Sequence, residues 1–90
     1  MNRWFVVQTR PQAEELALQH LERQGFKAYL PRHLKRRSHA RKVDWISSPL
    51  FPRYLFVMLD VAAARWRAIR STTGVSNLIC QGQSPLAVFP

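Results

Sequence analysis

The chain opens on a run of apolar and β-branched residues, RWFVVQT over 3–9, without Gly or Pro, which predicts a strand. Residues 10–24 then change period. Ala13, Ala17, Leu21 and one of Leu16 or Leu18 recur at helical spacing and predict a helix whose apolar face turns toward a sheet. Its punctuation is consistent with that reading. Thr9 and Gln12 fit a capping box, Pro11 suits a first turn, and Gly25 suits a left-handed residue just past the end. A short strand follows at 26–31, FKAYLP, stopped by Pro31. Residues 32–42, RHLKRRSHARK, show neither period and read as a basic loop. VDWISS over 43–48 predicts a strand with Val43, Trp45 and Ser47 on one face.

The strongest strand is RYLFVMLD, 53–60, and it does not alternate. A half-buried strand has one polar face; here Leu55, Val57 and Leu59 are apolar on one side, and Tyr54, Phe56 and Met58 on the other. If helices cover the first face, the second is an exposed apolar patch, which on a soluble protein marks an interaction site or awaits a covering segment. An alanine-rich stretch, 61–71, predicts a second helix with Ala62, Trp66 and Ile69 on one face, broken at Thr72-Thr73-Gly74. VSNLIC, 75–80, is the last strand, and 81–90 a turn and extended tail. The sum predicts an α+β domain: a mainly antiparallel sheet with helices packed on it.

Composition narrows the function. Ninety residues, 47% of them apolar, make one domain with a modest core. No apolar run is long enough for a membrane helix and no secretory signal opens the chain, so a cytoplasmic protein is expected. The single cysteine, Cys80, allows no internal disulfide and reads as a small strand residue. Fourteen Lys and Arg stand against five Asp and Glu, a net charge of +9. That excess points to a polyanionic partner: nucleic acid first, an acidic protein surface second, a lipid headgroup third.

Catalysis has little to work with. Glu14, Glu15 and Glu22 read as solvated helix residues, and Asp44 and Asp60 as strand-flanking ones. His20, His33 and His39 lack the Cys or carboxylate company of a zinc site, and three glycines provide no phosphate-cradling loop. No enzyme activity, metal, cofactor, small-molecule substrate or membrane contact is expected. Two polar clusters are candidates instead. Lys35, Arg36, Arg37, Arg41 and Lys42 in the basic loop would contact phosphates, without aromatic interleaving inside the loop for base stacking. Arg10, His20, Arg23 and Gln24 would form one patch with Thr72 and Thr73 if the helix end and the turn adjoin. Each cluster also reads as an ordinary solvated face.

Three segments, RWFVVQTRPQAEELALQHLERQGFKAYLP, PLFPRYLFV and IRSTTGVSNLI, resemble in order and spacing the N-terminal domain of the NusG family of transcription elongation factors. HLERQ and PLFPRYLFV are most similar to its antitermination paralogues of the RfaH type. The resemblance implies a four-stranded antiparallel sheet flanked by helices. It also implies docking of Tyr54, Phe56 and Met58 on the clamp helices of the RNA polymerase β′ subunit, and a second contact from Arg65, Trp66 and Arg67 to the β-subunit gate loop. By the same resemblance, Arg10, His20, Arg23, Gln24 and Thr72 match a patch that reads the non-template DNA strand. Leu16 and Thr73 stand where RfaH-type proteins carry arginine, Gln8 replaces an aromatic residue, and Arg65-Trp66-Arg67 replaces a His-Thr-Thr run. The family continues into another helix and a small β-barrel domain, so residues 1–90 read as an N-terminal module cut before its last helix. The expected function is bridging the polymerase cleft, holding the clamp closed and suppressing pausing. Two alternatives stay open: a general elongation factor without sequence-specific recruitment, and a free-standing nucleic-acid-binding module.

Overall fold

The computed structural model describes residues 1–62 and 65–88. Strand β1 (Arg3–Thr9) is the centre of the main sheet. It pairs antiparallel with β5 (Tyr54–Leu59) on one side, and β5 in turn pairs with β2 (Lys27–Tyr29). On its other side, β6 (Val75–Leu78) pairs the second half of β1 and β9 (Ala87–Val88) the first half. The sheet is therefore four strands wide, with two short strands sharing one edge. The predicted α+β architecture is present.

Helix α1 (Glu14–Arg23) and the single turn α2 (Arg67–Arg70) cover one face. The core between them holds Phe5 and Val7 of β1, Leu55, Val57 and Leu59 of β5, Val75 and Leu78 of β6, Ala17 and Leu21 of α1, and Trp66 and Ile69 around α2. Leu18 packs against this cluster while Leu16 is exposed, which settles which leucine the helix turns inward. Gly25 takes the left-handed conformation expected past the helix end, at φ +91°.

Four local expectations are corrected. The helix starts at Glu14, not near Arg10: Gln12 has φ 59°, and Ala13 stands at the cap without a side-chain hydrogen bond. Thr9 cannot cap it, because it is fully buried in β1 and its hydroxyl donates to the Arg10 carbonyl. Glu14 is buried rather than solvated, and its Oε2 accepts the Arg53 amide at 2.9 Å. That bond holds Arg53 at φ 72°, the turn that launches β5. The second helix shrinks to Arg67–Arg70; Asp60 Oδ1 instead accepts the Ala62 amide in a turn, and residues 63 and 64 of the expected helix lie outside the described residues.

The largest correction concerns the basic loop. Residues 32–39 form strand β3 (Arg32–His39), which pairs residue for residue with β4 (Lys42–Pro49) in a separate two-stranded sheet. Its two-residue turn, Ala40-Arg41, has φ of 50° and 66°, the mirror-image geometry that matches the twist of hairpin strands. The tail makes a second small hairpin, β7 (Cys80–Gln81) with β8 (Ser84–Pro85), before β9 returns to β1.

Candidate functional site

Period-two geometry divides the sheet residues cleanly. Directly opposed residues in antiparallel strands share a face. The register pairs Trp4 with Met58, Val6 with Phe56 and Gln8 with Tyr54 across β1 and β5, and Tyr29 with Phe56 and Lys27 with Met58 across β2 and β5. Val88 of β9 pairs with Trp4. All of these lie on the face opposite the helices. Tyr29 is 56% exposed and Tyr54 36%, with Trp4, Val6, Phe56 and Met58 half-buried among their neighbours. Rings organise the surface: Trp4 and Tyr29 tilt together at 6.4 Å, and Phe51 meets Phe56 edge-on at 6.3 Å. Trp4, Tyr29, Phe56 and Val88 line a shallow apolar hollow. A face of this kind can take a helix or strand of another protein against its aromatic anchors.

Two bonds join α1 and the segment before it to the 72–74 turn. Gln24 Nε2 donates to Thr72 Oγ1 at 2.7 Å, and the Arg10 amide donates to the Gly74 carbonyl at 2.9 Å. The end of α1 and the 72–74 turn therefore adjoin. The approach depends on glycine: a Cβ at Gly74 would sit 2.9 Å from the Ala17 nitrogen. Thr72 itself is buried, donates to the Ala68 carbonyl at 2.9 Å and accepts from Gln24. Its hydroxyl is committed to holding the turn, so Arg10, Arg23, the remaining capacity of Gln24 and Thr73 are the exposed members, with His20 half-buried.

Around α2, Arg65 and Arg67 are exposed but Trp66 is only 8% exposed and belongs to the core. The Arg67 guanidinium lies 4.5 Å from the Trp66 ring centre and that of Arg70 5.9 Å, so cations lid the indole instead of leaving it free. Lys35, Arg36, Arg37, Arg41 and Lys42 all lie exposed on the β3–β4 hairpin, outside the main sheet.

The sequence profile described as "Transcription termination factor nusG" matches residues 2–90. The chain belongs to the NusG family. A solved chain of Thermotoga maritima NusG, reported for its domain interaction, superposes with a TM-score of 0.63 at 24% identity. It matches 99% of this chain, which spans 51% of that one. The NusG N-terminal fold is thereby established.

Within this NusG domain, sequence reasoning named the β5 half of the outer face and overlooked most of the rest. Trp4, Val6 and Tyr29 have the parity opposite to Phe5, Val7 and Ala28, and that alternation was the available signal. Phe51 lies in the turn before β5, where no periodicity could place it.

Proposed function

We propose that this NusG domain is a transcription elongation factor module that docks on RNA polymerase through the outer face of its sheet. Tyr54, Phe56 and Met58, joined by Trp4 and Tyr29, seat on the β′ clamp helices; Arg65 and Arg67 reach the β-subunit gate loop. The docked domain bridges the cleft, stabilises the closed clamp by binding it better than the open one, and suppresses pausing. Arg10, His20, Arg23, Gln24 and Thr73 lie toward the non-template DNA strand, and the cations of the β3–β4 hairpin contact phosphates.

The observation that carries this reading is the aromatic outer face, continuous over β2, β5, β1 and β9, on a family member with a net charge of +9. Capture of core RNA polymerase by the wild-type chain and by the Tyr54→Ala/Phe56→Ala double variant tests it. Loss of capture by the variant is expected; equal recovery overturns the docking face.

Recruitment separates two versions. The HLERQ and PLFPRYLFV segments favour an RfaH-type antitermination factor recruited at a specific DNA element. Leu16 and Thr73, both exposed and uncharged, favour a general elongation factor. An effect confined to templates with one element supports the first; equal action on all templates supports the second.

A further inference from the structure

The β3–β4 hairpin has two chemically different faces that the linear sequence hides. The register places Leu34, Arg36, Val43 and Trp45 on one face, through the pairs Leu34–Ser47, Arg36–Trp45 and Ser38–Val43. The other face carries His33, Lys35, Arg37, His39 and Lys42, with Asp44 and Ile46. Asp44 is already engaged by Arg37, Nη2 to Oδ2 at 3.8 Å. The first face is unusual for a solvent-facing surface: Leu34 is 68% exposed, Trp45 64% and Val43 50%. None of the three belongs to the domain core. The basic stretch holds no aromatic residue of its own; pairing supplies one, by setting Trp45 of β4 directly beside Arg36 of β3.

We propose that this face is a stacking platform for an unpaired nucleotide, with Trp45 under the base and Arg36 on the adjoining phosphate. The inference rests on the reading of the hairpin as a phosphate-contacting arm and adds to it the state of the nucleic acid. Complementarity selects the ligand. An exposed indole paired across the strands with Arg36 is matched by a single strand, which presents phosphates and open base faces together. A duplex keeps its bases stacked on one another, so from outside it offers the cations phosphates and offers the indole nothing without unstacking. An acidic protein surface would satisfy the cations and leave the Leu34–Trp45–Val43 stripe in water. Cross-strand neighbours sit about 4.5–5.5 Å apart at Cβ, so Arg36 flanks the indole closely enough to engage the same nucleotide. Leu34 and Val43 extend the same face on either side of the Arg36–Trp45 pair, where they would limit water at the stacked base.

The test is binding of the 90-residue chain to a labelled single-stranded oligonucleotide and to its duplex across a salt series. Trp45→Ala is expected to weaken single-strand binding by about 5- to 100-fold. It should leave the salt slope unchanged and duplex binding close to wild type. Trp45→Phe should restore most of the affinity. On the opposite face, Lys35→Ala with Arg37→Ala should instead lower the single-strand salt slope, by about 0.7 for each phosphate no longer neutralised. If the wild type binds single strands and Trp45→Ala binds them equally well, the stacking platform is overturned while the phosphate-contacting arm stands. If the wild-type chain binds neither oligonucleotide, both fall. An equal weakening on duplex and single strand, or a wild-type dimer that Trp45→Ala dissociates, also overturns the platform, the second by assigning the face to another copy of the chain.

Discussion

From Phe5 to Thr9 in β1 and along β5 every second side chain is buried, whereas in β3 none is. Both regions are antiparallel β-structure with regular registers, and they are held by different physics. The sheet body is specified by burial: a one-residue slip of β5 would drive Leu55, Val57 and Leu59 into water. The hairpin has no such penalty to fix it. An isolated two-stranded hairpin is marginal in water, and this one relies on its turn and on its root. At the root the Leu50 amide donates to the Pro31 carbonyl at 2.8 Å, Pro31 is buried, and Arg32 pairs with Glu15 of α1. The domain measures 53 × 26 × 23 Å, and strands of this length span about 25 Å.

The comparison breaks most readily in the core. Leu21→Ala, at a fully buried position, should lower unfolding free energy by about 2–5 kcal/mol. Leu34→Ala in the arm should stay within about 0.5 kcal/mol, both read by chemical denaturation. A Leu34 effect of core size would show that the arm is part of the cooperative body after all.

Next in size is the Gly74 approach. Gly74→Ala combines a positive φ with a Cβ pressed against the α1 backbone, and should cost about 2–4 kcal/mol. Gly25→Ala meets open space and should cost only the backbone strain, about 1–2 kcal/mol. The two midpoints, measured side by side, separate close packing from conformation. Removing the Arg53 anchor has a smaller effect: Glu14→Ala should destabilise by about 1–3 kcal/mol and Glu14→Gln by less, since the amide keeps an acceptor. Faster hydrogen exchange at the Arg53 amide is the local readout. The smallest effect belongs to the arm's turn. Ala40→Gly relieves a positive φ and should slow exchange of β3 and β4 amides by about 1 kcal/mol of opening free energy, with the global midpoint unmoved.

The same contrast explains what could be read from the sequence. Burial writes periodicity, so β1, β5, the inward face of α1 and the breaking glycines at 25 and 74 were legible. The arm buries nothing on β3, so Arg32–His39 carries no alternation to detect, and Ala40-Arg41 lacks the Asn-Gly chemistry that announces a tight hairpin. Helix starts misled for a different reason. Thr9 and Gln12 have the residue types of a capping box, but β1 claims Thr9 for the sheet, and the Arg10–Gly74 bond turns the chain before a helix can begin. Trp66 shows the limit of reading a site from chain position: its neighbours Arg65 and Arg67 are on the surface while the indole fills the core. Thr72 shows the same limit: only its bonds to Gln24 and to the Ala68 carbonyl reveal that it holds the turn instead of facing outward.

The most direct measurement is a titration of core RNA polymerase with the labelled chain in three forms: wild type, the Tyr54→Ala/Phe56→Ala variant and an arm variant, Lys35→Ala/Arg37→Ala/Trp45→Ala. Docking through the outer face predicts affinity lowered at least about tenfold for the first variant and changed less than about threefold for the second. Wild-type affinity for Tyr54→Ala/Phe56→Ala, with the weakening appearing in the arm variant instead, would contradict it.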